Sequence, residues 1–310
     1  MPVHPELQQI LDTIKSRNPP PIYTLTPAEA REAMLKARKV FVAEPPAIAR
    51  VEDREIPGPG GPMKVRLFAD SKAANLPMLL WFHGGGWVIG SLDTHHDLCC
   101  RLAQHSGALV VSVDYRLAPE HKFPACIDDT VAAVQWAAKH GASIGGDSSR
   151  IAVGGDSAGG HLAAVVSQAA RDSGRPPIRF QLLVYPATLH DLESGSMERN
   201  AHGYFLEREG IRWFLGHWFN GPKDRETVLA APMRAKSLQG LPAAYVITAG
   251  FDPLCDEGTA YARRLKESGV PTVHKHYEDA IHAFFTMTVT TFTNQAVKDA
   301  ALAVRAALAE

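Results

Sequence analysis

The chain has 310 residues, within reach of a single large α/β unit carrying an insertion, and its hydrophobic share of 45% is enough for a sizeable core. Lys and Arg number 32 against 33 Asp and Glu, for a formal charge of -1 with no block of one sign, so binding to nucleic acid or a membrane surface has no electrostatic footing. Residues 1–15 lack the basic start and unbroken apolar core of a signal peptide, no apolar run reaches membrane-spanning length, and the four cysteines, Cys99, Cys100, Cys126 and Cys255, have no zinc or redox spacing. The expectation is a cytoplasmic protein whose thiols are small buried hydrophobes.

In chain order, Leu7, Ile10, Leu11 and Ile14 recur at helical spacing, and Asn18-Pro19-Pro20-Pro21 ends that helix. A second helix is expected from Thr26 to about Val42, with Pro27 in its first turn and Glu29 completing a capping box. Both precede any strand, so they read as an appendage to the sheet. From Val51 the period changes to two. Residues 65–68 read as a strand after a turn-rich stretch at 57–62, and 78–82 and 109–113 are continuous apolar runs of the kind covered on both faces. Helices are expected at 98–106, from Pro124 to about Lys139, and at 158–170, the last flanked by strands at 151–153 and 180–185.

The alternation breaks after Tyr185-Pro186. Residues 187–235 hold no convincing strand, and Trp213, Phe214, His217 and Trp218 sit at helical spacing, so this span reads as a helical insertion. Residues 244–249 restore the sheet, 257–268 form a helix ended by Gly269, 272–277 make the last strand, and the final helix carries Val297, Ala301, Val304 and Leu308 on one face. The pattern argues for an α/β fold with a mostly parallel central sheet flanked by helices. It divides the chain into N-terminal helices (1–50), a sheet domain (51–186 and 236–310) and the insertion (187–235).

The chemistry centres on Gly155-Asp156-Ser157-Ala158-Gly159, a G-x-S-x-G match lying between a strand and a helix, as a nucleophile elbow requires. Only small neighbours fit beside a serine on so sharp a turn, and the helix that follows aims the Ala158 N–H at the space beside the hydroxyl. His83-Gly84-Gly85-Gly86-Trp87 follows another strand and can turn its amides inward, so Gly85, Gly86 and Ala158 are candidate oxyanion donors; His83 reads as a support of the loop. No G-K-[ST] or G-x-G-x-x-G accompanies these glycines, which argues against a phosphate loop. Along the chain an elbow of this kind is followed by its acid and then its base.

Asp252 follows the strand at 244–249 and is held extended by Pro253, whereas Asp256 and Glu257 read as caps of the next helix; Asp279 stays open as a competitor by spacing. Of the 14 histidines, His282 is the candidate base, because it comes after the last strand at the same end of the sheet. His274 and His276 share a face of that strand and read as partly exposed strand residues, not as a metal pair; His161 lies inside the helix after the serine.

On His83-Gly84-Gly85-Gly86, the run Val113 to Glu120, Gly155-Asp156-Ser157-Ala158-Gly159-Gly160, Asp252-Pro253-Leu254 and Ile281-His282, the chain resembles the hormone-sensitive-lipase branch (family IV) of the α/β-hydrolase carboxylesterases. The resemblance covers nearly the whole sheet domain. It implies an α/β-hydrolase fold with a cap built from the N-terminal helices and the insertion. It also implies a serine esterase with Ser157 as nucleophile, His282 as base and Asp252 as its orienting acid. Small, short- to medium-chain acyl esters are the expected substrates, with no cofactor and no metal. Trp87, Tyr204, Phe205, Trp213, Phe214 and Trp218 would supply the acyl wall, with helix packing the competing role for at least half of them, and Asp114, Arg116 and Glu120 a structural polar network.

Two departures stand out: Ala283 and Cys255 occupy positions where the family usually has Gly and Arg. An amidase or acyltransferase would use the same three residues, and a non-catalytic receptor on this fold would typically have lost the base. A homodimer stays open.

Overall fold

The computed structural model describes residues 2–309. Among them eight strands form one sheet: β1 (Arg50–Gly58), β2 (Gly61–Ala69), β3 (Leu76–Phe82), β4 (Leu109–Val113), β5 (Gly146–Asp156), β6 (Phe180–Val184), β7 (Ala243–Phe251) and β8 (Thr272–Ile281). Their order is β1-β2-β4-β3-β5-β6-β7-β8. The first two make an antiparallel hairpin, β2 joins β4 antiparallel, and every later pairing is parallel.

The apolar runs become central strands because each sends alternate residues to opposite faces, and both faces are covered. Met78, Leu80, Phe82, Ile151 and Val153 join one buried cluster with α4 (Ala125–His140) and α5 (Ala158–Ser173). Leu79, Trp81, Val110 and Ala152 join another with α3 (His96–Ser106) and α9 (Thr291–Leu308). The last helix buries Val297, Ala301, Val304 and Leu308, the face expected of it. All four cysteines are buried free thiols, and no helix among the described residues is long and apolar enough to cross a membrane.

Several boundaries differ from the sequence reading; β1 and β2, for example, run through the stretch at 57–62 that reads as turn-rich, leaving only Pro59 and Gly60 between them. The last strand runs on to Ile281, four residues past Tyr277, and β5 begins at Gly146, ahead of Ile151. The added residues include Glu278 and Asp279 in β8 and Asp147 to Arg150 in β5, polar residues that an edge strand or a strand end tolerates. The helix after Asp252 is α8 (Cys255–Glu267), and Asp256 and Glu257 do not cap it. Asp256 accepts the Ser196 N–H at 2.7 Å, and the buried Glu257 carboxylate accepts the N–H groups of Thr188 (2.6 Å) and His190 (3.0 Å). These carboxylates fasten the insertion, whose helices are α6 (Gly195–Arg199) and α7 (Arg208–Trp218). At its far end Arg264 of α8 donates to the carbonyls of Met233 and Ala235.

The first helix is more than an appendage. In α1 (Pro5–Arg17), Leu7 and Ile10 are buried in the cluster with α9, and Glu6 accepts the N–H groups of Thr291 and Phe292, the first two residues of α9. An acceptor of negative charge belongs at that helix end, and burial of the two apolar side chains adds roughly 3 to 6 kcal/mol. The second helix, α2 (Pro27–Phe41), has the expected Thr26–Glu29 capping box. Its Arg31 reaches Glu120 and the carbonyls of Val88 and Ala118.

Two predictions follow from this packing. Burial pushes Glu257 from 4.5 up to about 7, against the pull of the backbone N–H donors, so the folded chain keeps a proton that the unfolded chain has lost. That contribution is complete below pH 4.5 and drains away as pH rises toward about 7, a difference on the order of 3 kcal/mol. Glu257→Gln cannot ionise, so its melting temperature should fall less than that of wild type between about pH 5 and 7.5; superimposable pH dependences in calorimetry would contradict this. At Gly159 a Cβ would stand 1.8 Å from the Phe82 carbonyl oxygen. Gly159→Ala should therefore cost roughly 3 kcal/mol or more, seen as a fall in thermal midpoint or in soluble yield.

Candidate active site

Ser157 occupies the single residue between the end of β5 and the start of α5. Its backbone stands at φ 56°, ψ -115°, a conformation that costs a non-glycine residue about 1 to 3 kcal/mol and holds only where the surroundings fix it. Here the Ser157 N–H donates to the Val184 carbonyl of β6 at 2.8 Å, and the Ser157 carbonyl accepts from His161 at 3.0 Å and from Ala187 at 3.3 Å. The residue is left at the carboxyl rim of the parallel strands, mostly but not fully buried.

At the same rim β7 ends at Phe251 and β8 at Ile281, so Asp252 and His282 are the first residues beyond two neighbouring strands. His282 Nε2 lies 2.9 Å from Ser157 Oγ, and His282 Nδ1 lies 2.7 Å from Asp252 Oδ2. Asp252 is fully buried, and its other oxygen accepts the Leu254 N–H at 2.8 Å. With Nδ1–H donating to the carboxylate, the Nε2 lone pair faces the serine hydroxyl. The alternative acid, Asp279, stands within β8, where its carbonyl accepts the His4 N–H; its carboxylate makes no hydrogen bond among the described residues. The Tyr185 ring, at φ 34°, lies 4.6 Å from the His282 ring at an angle of 49°.

The glycine loop leaves β3 directly. Gly85, Gly86 and Trp87 have φ values of 124°, 57° and 62°, three successive residues in the region that favours glycine. Gly84 N–H donates to Asp156 Oδ1 at 3.0 Å, His95 Nε2 lies 3.1 Å from the same oxygen, and Tyr115 OH donates to the His83 carbonyl at 2.6 Å. Burial opposes ionisation of Asp156, yet His95, His83 and the Gly84 N–H together hold its carboxyl below the usual range. Burial, with His95 beside it, lowers His83 to about 3, so its ring is neutral, and Nδ1 lies 2.8 Å from the Gly84 carbonyl. The N–H groups of Gly85, Gly86 and Ala158 make no hydrogen bond among the described residues. A Cβ on Gly86 would stand 2.3 Å from the Phe214 ring.

A cavity of about 850 Å³ opens over Ser157 and His282. Of the six aromatic residues expected to wall it, Trp87, Tyr204, Phe205 and Phe214 do so. Trp213 and Trp218 stand outside the lining. Trp213 packs against His217 along α7, and the fully buried Trp218 stacks on Trp87, with centroids 3.8 Å apart and planes 6° apart. A helix crossing between the sheet domain and the cavity has two apolar surroundings, so spacing alone cannot assign its aromatics. The N-terminal helices supply lining too, through Leu11 and Ile14 of α1 and Met34 of α2.

Two buried polar residues escape a motif-based reading. His95 bears on the Asp156 carboxylate, and Asn200 Nδ2 donates to the carbonyls of Gly250 and Asp252, each at 3.1 Å, bracing the loop that carries the acid. Arg116 pairs with Asp129 and Glu120 with Arg31, while the Asp114 carboxylate has no hydrogen-bonded partner among the described residues. The departure at Ala283 has a backbone consequence: φ is 65°, ψ 3°, which costs an alanine about 1 kcal/mol that glycine would avoid. Nothing in the structure explains Cys255, which is buried at the start of α8.

Comparison with known proteins bears on this rim and its roof. A family model described as the alpha/beta hydrolase fold matches residues 79–286. The chain is 47% identical over 240 residues to esterase LipI of Mycobacterium tuberculosis, covering 76% of this chain and 75% of LipI. It is 40% identical over 291 residues to carboxylesterase NlhH of the same organism, covering 91% and 88%. Among solved structures, the ester hydrolase EH1AB1 from the metagenome of Lake Arreo superposes with a TM-score of 0.96 at 41% identity, covering 99% of this chain and all of its own. The chain therefore belongs to the hormone-sensitive-lipase type of the α/β-hydrolase family and is a carboxylesterase.

Proposed function

We propose that Ser157, His282 and Asp252 carry the ester hydrolysis through an acyl-enzyme intermediate. The observation that supports the assignment is the continuous hydrogen-bond chain Asp252–His282–Ser157, closed at a strained serine near three amides that make no hydrogen bond among the described residues. As Ser157 Oγ attacks the ester carbonyl, His282 Nε2 takes the hydroxyl proton, and the imidazolium is stabilised by the Asp252 carboxylate. The carbonyl oxygen becomes an oxyanion facing the N–H groups of Gly85, Gly86 and Ala158, each worth on the order of 10²- to 10³-fold in rate. The C–O bond to the alcohol breaks as His282 returns the proton to the leaving oxygen. Water then attacks the acyl-enzyme, His282 takes its proton, and collapse of the second tetrahedral intermediate frees the acid and restores the serine.

The substrates we assign are small, soluble esters of short- to medium-chain acids. What supports this is a cavity of about 850 Å³ under a roof contributed by α1, α2 and α7, a shape suited to a molecule entering from water and not to an emulsified surface. In this reading residues 1–50 and 187–235 act together as the cap, and 51–186 with 236–310 as the catalytic domain. Four buried thiols suit the reducing cytoplasm. The β8 edge of the sheet, with Val273 more than half exposed, offers a homodimer a surface on which to form.

A panel of nitrophenyl esters and matching anilides, run on wild type and Ser157→Ala, tests the assignment. Turnover should fall by at least about 10³-fold in the variant, with esters far ahead of anilides in wild type. Turnover that survived the substitution would remove Ser157 from the mechanism, and fast anilide cleavage would make the enzyme an amidase. Across acyl lengths, the specific rate should peak on dissolved short- to medium-chain esters; a maximum on long-chain triglyceride droplets would contradict the substrate class.

A further inference from the structure

We propose that His161 is a positioning residue for the oxyanion loop, acting through the indole of Trp87 and tying that loop to the insertion. This rests on the assignment of Gly85 and Gly86 as oxyanion donors. Trp87 is the residue immediately after them and the one of the three left-handed loop positions that bears a side chain, at φ 62°. A tryptophan keeps that conformation only if its side chain is docked firmly enough to outweigh about 1 kcal/mol of backbone strain.

The docking has two parts. The indole stacks on Trp218 of α7 at 3.8 Å, a contact that resists tilting of the ring but leaves it free to slide in its own plane. In-plane position is set by the Trp87 Nε1–H, which donates to His161 Nδ1 at 3.1 Å. His161 can accept there because its own proton is on Nε2, which lies 2.9 Å from the Leu229 carbonyl. That carbonyl belongs to the insertion. His190 repeats the arrangement one residue on, with Nε2 2.6 Å from the Ala230 carbonyl and its ring against Trp87 at 5.4 Å. Burial lowers His161 to about 3 and His190 to about 4, so both rings are neutral at the pH of an ordinary assay and the Nδ1 lone pair of His161 stays available to the indole.

His161 is fully buried on α5, one turn after Ser157, whose carbonyl its backbone N–H meets at 3.0 Å. One residue therefore touches the nucleophile's backbone, the side chain behind the oxyanion donors and the segment that closes the cap. Displacing the indole would shift Gly85 and Gly86, whose amides bind the oxygen that is charged in the transition state and neutral in bound substrate. Loss of the link should then lower kcat and leave KM nearly alone.

The test uses His161→Leu, which removes both hydrogen bonds, His161→Asn, which keeps an acceptor near the Nδ1 position, and Trp87→Phe, which keeps a ring on Trp218 and loses the N–H. Kinetics on a soluble nitrophenyl ester are combined with affinity for a trifluoromethyl ketone, whose serine adduct carries an oxyanion. His161→Leu and Trp87→Phe should each lower kcat about tenfold and weaken the ketone about tenfold, with KM within about threefold of wild type. Their combination should be no worse than the weaker single variant by more than about threefold, because both remove one hydrogen bond, and His161→Asn should recover most of kcat.

Folded variants with wild-type kcat and ketone affinity, or a double variant whose losses multiply, would overturn the proposal. Should His161→Leu fail to fold, Trp87→Phe decides by itself. Ser157→Ala run alongside separates the two readings: if it is inactive while the Trp87 and His161 variants turn over normally, only the positioning role falls, whereas activity in Ser157→Ala removes the nucleophile assignment itself.

Discussion

One backbone turn constrains everything around it. With Ser157 held at φ 56°, ψ -115°, the chain reverses from β5 into α5 in a single residue, and no side chain larger than hydrogen fits where Gly159 meets the Phe82 carbonyl. The turn is stable because β6 accepts the Ser157 N–H and the strands on either side of β5 are buried along the length that leads to it. Strain of this size is tolerable only in a chain whose core overdetermines it, and the eight-stranded sheet with helices on both faces provides that core. The Ser157 hydroxyl is consequently held where a relaxed turn would not leave it.

Around that turn the protein spends buried polar groups freely. His83, His95, Asp156 and Tyr115 are all buried beneath the glycine loop and each makes at least one hydrogen bond, which offsets most of their desolvation, although His83 Nε2 has no partner among the described residues. Along the insertion the same logic appears with different partners: Glu257 takes two of its backbone N–H groups, while His161 and His190 each bear on one carbonyl near its other end. An insertion with no strand of its own satisfies part of its backbone with side chains of the sheet domain, Glu257 and His161, and part with its own His190.

The central strands are legible in the sequence for a physical reason. Residues 78–82 are apolar throughout and 109–113 are apolar but for Ser112, because a parallel strand covered on both faces favours such residues. The extension of β8 through Glu278 and Asp279 is not legible, since an edge strand can carry charge on its open side. The residues that meet at Ser157 could be found by their order along the chain and their places after strands; the roles of Asn200 and His95 could not, because a lone polar residue in a loop carries no pattern. Asp256 and Glu257 stand where capping residues stand, and tertiary partners override that local preference. Ala283 illustrates the converse, since its departure from a family glycine is visible in the sequence while its backbone meaning needs φ.

The fastening of α1 to α9 has a consequence for how the enzyme is made. Glu6 waits for the N–H groups of Thr291 and Phe292, and Leu7 for a surface completed by Val297 and Val304, partners separated from them by almost the entire chain. During synthesis α1 must therefore remain undocked until α9 has emerged, so the roof over the serine closes late.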